Sequence, residues 1–570
     1  MKSYSKNNIL TMLSIIILVG FTSCNEDKLF DEELATNPNK LSVTGFYSNP
    51  GAVNAGIIGV YGYLTTARNL GASGKGLYVH HSSDEMSGGS DYAVPGMYNA
   101  RLTPSWYTTG QPWALMYTAA LGANDVIENI DGADFGDETD LKNAYLGEAH
   151  MLRAFIHFYL LVNFRNIPIS DKVPTRDEFT RPQADPATVW AFIIEDLLKA
   201  KGLLPAKGFW GEEYRGRMTS GGAAALLGKV YLTMSGIEGV DKYNEAASEF
   251  NEIISGAHGI YALTIDYSDN FGIENENNEE SLLEFQFFGD GDENTGFNPG
   301  SISSGLFGDP RGFSPPGFRN GNVNGEVVVH DWVYDAYAAS IDLDGKTDRR
   351  MFGTLVFDDL LLPNGIPDLN NDGDFTNDRL ALTDGETWEE VYSEDGTFGG
   401  KFAAAANYKA SNRKWLDWNL KREGLYDGNQ DDRFLQARAH GANLRLIRYA
   451  DVLLMYAECL LNGGSGSVSA LEAVNQVRAR AKVAPLGSVG MDAIKTERVL
   501  ELSLEGTRGL DLLRWGNFFT RFSEIAASDP NFKKFTNSDY IHPAPGREYL
   551  PIPISEIQAN PNINDQNPGW

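Results

Sequence analysis

The chain has 570 residues, 42% hydrophobic and 11% aromatic, enough apolar material for a large buried core. Its formal net charge is −30, which argues against nucleic acid or an anionic membrane surface as partner, because both require basic patches, and favours neutral or cationic ligands. With Cys24 and Cys459 as its only two cysteines, a disulfide framework is excluded.

In chain order, Lys2 and Lys6 precede an apolar run from Ile9 to Val19, and Gly20-Phe21-Thr22-Ser23 leads into Cys24. The run is short of the about 20 apolar residues that a helix needs to cross a bilayer, so it reads as a processed export signal. A cysteine in this place resembles the lipobox of a bacterial lipoprotein. That resemblance implies cleavage after residue 23, with Cys24 as a lipidated mature N-terminus that anchors the chain to a membrane. An ordinary secretory signal with a chance cysteine is the alternative. Asn25-Glu26-Asp27 and Asp31-Glu32-Glu33 make residues 24–45 an acidic tether. In the Bacteroidetes-type lipoproteins that this start resembles, acidic residues at this place accompany display on the outer face of the outer membrane.

Amphipathic helices are predicted over Asn54 to Ala67, Trp113 to Ile130, Leu141 to Phe164, Thr188 to Leu203, Gly221 to Met234 and Tyr243 to Ile254. In the third, Leu146, Ala149, Arg153, Ile156 and Leu160 mark one face, while Leu152, Phe155, Tyr159 and Leu161 are apolar too, so burial on most sides is expected. Small residues recur where helices would cross: Ala119, Ala120, Ala123, Ala149, Ala154 and Ala223 to Ala225. Alternating small and large residues is the packing logic of tetratricopeptide repeats, here without a strict period. An irregular helical domain with no repeat relationship is the alternative.

From about residue 261 to 442 the composition shifts to Gly, Asn, Asp and aromatics, with strand-like runs at Ser281 to Phe288 and Glu326 to Val329. Helical pattern returns at Asn443, where Leu446, Ala450, Leu453, Ala457 and Leu460 share a face, and continues over Ala470 to Ala481 and Met491 to Leu504. The expected fold is therefore mostly α, a degenerate tetratricopeptide-type scaffold (about 50–260 and 443–515) with a large loop-rich insertion containing short strands, in a single domain spanning 46–570. Cys459 falls in the apolar pattern Leu453 to Leu460 and reads as a small core residue. His150 and His157, seven apart on a buried helix, read as satisfied core histidines rather than metal ligands.

No nucleotide or hydrolase motif is present: Asp344-Gly345-Lys346-Thr347 resembles the end of a phosphate loop, but Ser340 stands where the first glycine is required. Asp368, Asn370, Asp372 and Asp374, with Asp378 following, place oxygen-bearing side chains on alternate residues around Gly373. A loop of that kind wraps calcium, which takes about 6 to 8 oxygens; Arg379, however, occupies the place of the bidentate acid in an EF-type loop. A structural calcium site and an Asn/Asp-rich turn that binds nothing both remain open. Between the first two helices, Tyr78, Tyr92, Tyr98, Trp106, Tyr107 and Trp113 are interleaved with Asp84, Glu85, Asp91, Asn99 and Arg101. Sugar rings present apolar C–H faces and hydroxyl edges, so flat aromatics beside amides and charges are what a glycan site needs. Phe297, Phe307, Phe313 and Phe318 form a second cluster in the insertion. The alternative reading is that most of these rings pin long loops to the body.

The carboxy-terminal third carries a family resemblance. The run Arg445 to Glu458, then Glu497-Arg498, Glu501-Leu502, Glu505-Gly506, Arg508 and Asp511-Leu512-Leu513-Arg514-Trp515-Gly516, resembles the signature of the SusD/RagB family. So do Pro551-Ile552-Pro553, Asn560-Pro561-Asn562, the ending Gln566 to Trp570, and the early helix Gly147 to Phe155. Asp348-Arg349-Arg350 departs from the family's Asp-Pro-Arg turn at the middle residue. In physical terms the Glu/Arg/Asp/Trp set reads as a buried ion-pair network, not a catalytic site. The resemblance implies a surface lipoprotein, not an enzyme and needing no cofactor, that captures a nutrient, usually a glycan, and works with a SusC-like TonB-dependent outer-membrane transporter. It also implies that the repeats face the transporter and long loops shape the ligand surface. Asp84, Tyr98, Asn99 and Trp106 are nominated as ligand contacts from their place after the first repeat helix, and Phe307 and Phe313 from the second cluster. Peptide capture is the alternative within binding proteins. A surface glycosidase would need two carboxylates roughly 5 to 9.5 Å apart, and no motif marks such a pair.

Overall fold

The structure is a computed structural model that describes residues 46–65, 83–88, 103–105, 107–211, 214–271, 275–286, 327–357, 362–369, 409–412, 414, 443–528 and 545–570. Helices α1 (Pro50–Thr65), α2 (Tyr107–Asn129), α3 (Thr139–Phe164), α4 (Pro186–Leu203), α5 (Ser220–Glu238) and α6 (Tyr243–Ile254) follow one another, and each packs on its sequence neighbours. This nearest-neighbour stacking is the helical-repeat scaffold that the small residues anticipate. Ala119, Ala120, Ala123, Ala149, Ala154 and Ala223 to Ala225 are all fully or almost fully buried.

Local signals set the helix starts. Asp185 caps α4 by accepting from the Thr188 N–H at 3.0 Å, with Pro186 in the first turn, and Thr219 caps α5 by accepting from Gly222 N–H at 3.2 Å. Helix α3 is buried without interruption from Gly147 to Phe164, because α2 and α4 cover two sides and α1 and α5 also touch it. Two glycines of α5 are there for space rather than for backbone freedom. A Cβ at Gly228 would come within 2.5 Å of the Phe250 ring, and one at Gly236 within 2.3 Å of the Arg514 carbonyl oxygen.

Short strands tie the insertion to this scaffold. Strand β1 (Met86–Gly88) lies between α1 and α2, β2 (Ser281–Phe285) follows α6, and β3 (Val327–Val329) leads into α7 (Asp331–Ala339). Helix α8 (Arg350–Thr354) runs into β4 (Leu355–Phe357), which pairs with β5 (Ala410–Asn412). Strand β6 (Leu444–Arg448) pairs antiparallel with β2, Phe285 opposite Leu444 and Ser281 opposite Arg448, and closes the insertion at its base.

The helical pattern predicted from Asn443 thus begins as a strand and turns helical only at α9 (Tyr449–Leu461). All five residues of β6 are buried, so no polar face distinguishes a period of two from one of 3.6. Helices α10 (Ala470–Arg480), α11 (Met491–Leu502), α12 (Arg508–Arg514), α13 (Phe518–Ser528) and α14 (Ile554–Ala559) complete the chain. Helix α9 packs on α6, α10 and α11, and α12 packs on α5, so the C-terminal helices continue the stack. Cys459 is buried and free, as its pattern implies. No helix among the described residues is long and apolar enough to cross a membrane.

Candidate functional site

Residues 83–88, before α2, and 327–330, at the head of α7, meet at one joint. Strand β1 pairs antiparallel with β3, Met86 opposite Val329 and Gly88 opposite Val327. In that register the chain leaving Gly88 and the chain entering Val327 start from the same end of the pair. The joint is held from beneath by Asp84, which is 0% exposed. Its carboxylate accepts from Arg508 Nε at 2.8 Å and Nη2 at 3.1 Å, and from Arg521 Nε at 2.7 Å. Its carbonyl oxygen accepts from Trp332 Nε1 at 2.7 Å and lies 2.8 Å from His330 Nδ1. The Trp332 ring centre lies 4.5 Å from the Arg521 guanidinium and 5.4 Å from that of Arg508. Burial alone would push the Asp84 carboxyl up, but the Arg508 and Arg521 charges overcome it and hold it below the usual carboxylate range.

A larger buried network lies at the base of the insertion. Arg448, at the end of β6, donates to Glu280 at 2.6 Å, Glu501 at 2.5 Å and Glu505 at 2.8 Å. Arg480 pairs with Glu280 and Glu501, and Arg350 joins Asp348, Glu497 and Glu501. Lys414, which follows β5, reaches Glu505 at 2.6 Å, and burial lowers its ammonium to about 8 against the pull of Glu505. Beside this network, Arg498 bridges Asp451 and Asp511 at 2.7 Å each, and Arg514 bridges Asp511 and Glu458. Trp515 Nε1 donates to Glu458 at 3.0 Å. These acids are occupied by guanidiniums inside the protein, an arrangement that holds β6 and α9 to α12 together.

The SusD family model matches residues 279–570, just over half the chain. This chain belongs to the SusD family. A second model, described as starch-binding associating with outer membrane, matches residues 38–232. SusD-like protein P25 of Formosa agariphila is 25% identical over 565 residues, spanning 93% of this chain and 94% of that protein. The crystal structure of a SusD homolog from Bacteroides thetaiotaomicron superposes with a TM-score of 0.70 at 23% identity, covering 95% of this chain and 100% of the other. Surface glycan-binding protein A from the same organism, in complex with laminarihexaose, gives a TM-score of 0.64 at 23% identity over 90% of this chain and 98% of that one. At these identities the structural likeness speaks for the fold.

In this SusD-family chain the nominated residues fall into two groups. Asp84, expected to face ligand, is an interior anchor, because two guanidiniums take its carboxylate. Trp113, counted among the loop aromatics, lies on α2 at 2% exposure, with the Phe164 ring edge-on at 5.0 Å. Tyr98, Asn99, Trp106, Phe307 and Phe313 lie outside the described residues, as does Cys24. Of the calcium set, Asp368 alone is described: it is half-buried and its carbonyl oxygen accepts from Arg349 Nη2 at 2.8 Å. Asn370, Asp372, Asp374 and Asp378 lie outside the described residues. His150 and His157 are partnered in the interior as expected, His150 Nδ1 on Asp196 at 2.8 Å and His157 Nδ1 on the Arg153 carbonyl oxygen at 2.8 Å.

Sequence reasoning missed a cleft of about 830 Å³ between the α3–α4 connection and α4. Phe192 lines it, with the Arg153 guanidinium 5.0 Å from its ring centre, and Asp171, Lys172, Glu178 and Arg181 stand around it. Its charged groups pair locally, Lys172 with Glu178 and Arg181 with Asp171. No local pattern in the sequence marks it.

Proposed function

We propose that this chain is a surface lipoprotein, anchored through Cys24, that binds oligo- or polysaccharide without hydrolysing it and delivers it to a SusC-like TonB-dependent outer-membrane transporter. The β1–β3 joint carries this reading. Tyr92, Tyr98, Asn99 and Arg101 follow Gly88 in the chain, and Phe297, Phe307, Phe313 and Phe318 precede Val327. Antiparallel pairing sets Gly88, where one segment starts, beside Val327, where the other ends, and the two segments carry aromatic faces and amide or guanidinium edges in their sequence. That combination suits sugar rings. Family membership, the starch-binding description of the second model and the laminarihexaose complex of a structural relative support the same reading. The negative charge of −30 suits neutral glycans over polyanionic ones.

Affinity electrophoresis of the purified protein through gels containing a panel of neutral and acidic polysaccharides tests the proposal. Retardation by at least one neutral glycan, without release of reducing ends, is expected. Saturable binding of peptides with no retardation by any glycan points to peptide capture instead, and release of sugar overturns the binding-only reading. A calcium role for Asp368 to Asp378 is tested separately: chelation lowers the melting temperature, and Asp372→Ala abolishes that shift.

A further inference from the structure

Glu85 sits next to the Asp84 anchor but shares few of its partners. It is 1% exposed. Its Oε2 accepts from the Ser83 hydroxyl at 3.2 Å and from the Leu504 N–H at 3.3 Å, and Oε1 is buried with no hydrogen-bond partner among the described residues. Leu504, 0% exposed, holds a left-handed backbone at φ +67° in the turn between α11 and α12, a strained conformation for a non-glycine residue. The Glu85 carboxyl therefore joins the segment that becomes β1 to that turn.

The charged and titratable groups around it are few. Asp84 adjoins it on its own segment. Arg508 comes from α12 and Arg521 from α13, and both are committed to the Asp84 carboxylate. From the head of α7, His330 points Nδ1 at the Asp84 carbonyl oxygen, and its N–H donates to the Glu85 carbonyl oxygen at 2.9 Å. The α11–α12 turn contributes the Ser503 hydroxyl and the Leu504 N–H, which carry no charge.

We propose that Glu85 is a proton-operated latch at the base of the β1–β3 joint: neutral, it seats residues 83–88 on the α11–α12 turn, and ionised, it places a second buried carboxylate beside Asp84 and loosens that seat. The latch is a property of the fold. Its consequence for glycan capture, weaker binding as pH rises, rests on the function proposed above. Burial first, then the Asp84 charge, push the Glu85 carboxyl up to about 7 from 4.5. The native state then holds a proton that the unfolded chain releases near 4.5. The contribution of this group is accordingly most favourable below about pH 4.5, falls as pH rises towards 7 and levels off above it.

Thermal melts of the full chain and of Glu85→Gln, without ligand, at pH 5.5 and 8.5 test the latch. The glutamine variant is expected to melt about 2 to 4 °C higher at pH 8.5 and by less than half as much at pH 5.5, where the unfolded carboxyl has ionised and the native one has not. An equal gap at both pH values, or a variant that melts lower at pH 8.5, overturns the proposal. Hydrogen exchange in the wild-type chain gives a second test that needs no variant. Protection at residues 83–88 and 327–330, corrected for the intrinsic rate, should fall about tenfold or more between pH 6 and 8 relative to α3, and an unchanged ratio counts against the latch. Glycan titrations at the same two pH values separate the two proposals. Weaker binding at pH 8.5 in the wild type but not in Glu85→Gln supports both, whereas the melting gap without glycan binding at either pH supports the latch and overturns capture.

Discussion

Asp84 and Arg508 are 424 residues apart in the chain, and their side chains form a forked ion pair at 2.8 and 3.1 Å. The pair fastens the segment leading into β1 directly to α12. The described residues leading into β1 are therefore held by the C-terminal helices α12 and α13.

Removing the Asp84 carboxylate leaves Arg508 and Arg521 without their shared acceptor. Asp84→Ala should cost about 3 to 5 kcal/mol of stability, read as a lower urea midpoint with an unchanged slope. A double-mutant cycle with Arg508→Ala should return a coupling of the order of 1 kcal/mol or more. Additive effects would show that the two groups do not act as a pair.

Glu501 lies among the guanidiniums of Arg480, Arg448 and Arg350. Burial would raise its carboxyl, and those three charges instead hold it far below the usual carboxylate range. Its contribution is fully present above about pH 4.5 and is lost as pH falls below that, so it is one source of acid unfolding. Glu501→Gln should be destabilised by about 3 kcal/mol or more at pH 7 and should lose less further stability than the wild type between pH 5 and 3, measured by denaturant titration at each pH.

The repeat helices were legible because their signals are local. Apolar residues at helical spacing mark the buried faces, and recurring alanines mark crossings. Part of the Arg/Glu network was legible as well, Arg350, Arg448, Glu497, Glu501 and Glu505 through separated motifs in the right order, whereas Glu280, Arg480 and Lys414 lie outside those motifs. The pairings were not legible, since Arg448 finds Glu280 168 residues away. Asp84 was misread for the same reason: a carboxylate among loop aromatics looks like a ligand contact until Arg508 and Arg521, far along the chain, are brought to it. Trp113 was grouped with its neighbours in sequence, although the helix turns it onto Phe164. The three-residue pairing of β1 with β3 has no periodic signature, yet it is what sets Gly88 beside Val327.

His157 is buried on α3, accepting at Nε2 from the Ser170 N–H at 3.0 Å. Burial lowers its imidazole to about 4 from 6.5, with the Arg153 carbonyl hydrogen bond opposing. The native state therefore resists protonation that the unfolded chain accepts, and stability from this group is full above about pH 6.5 and lost as pH falls to about 4. His157→Gln should flatten the stability profile across that window by up to about 3 kcal/mol. An unchanged profile would place the loss on other groups.

Cys459 is inaccessible, and burial holds its thiol well above the ordinary range. In a Cys24→Ser background a thiol reagent should label the native protein very slowly and the urea-unfolded protein stoichiometrically. Rapid labelling of the native protein would contradict the packing of α9.

Glycan capture at the β1–β3 joint is tested most directly by calorimetric titration of the best glycan from the electrophoresis panel into wild type, Trp106→Ala and Tyr98→Ala. Saturable binding by the wild type, weakened about tenfold or more in at least one variant with the melting temperature preserved, is the predicted result. Undiminished binding in both variants would place the glycan elsewhere on the scaffold and contradict the account.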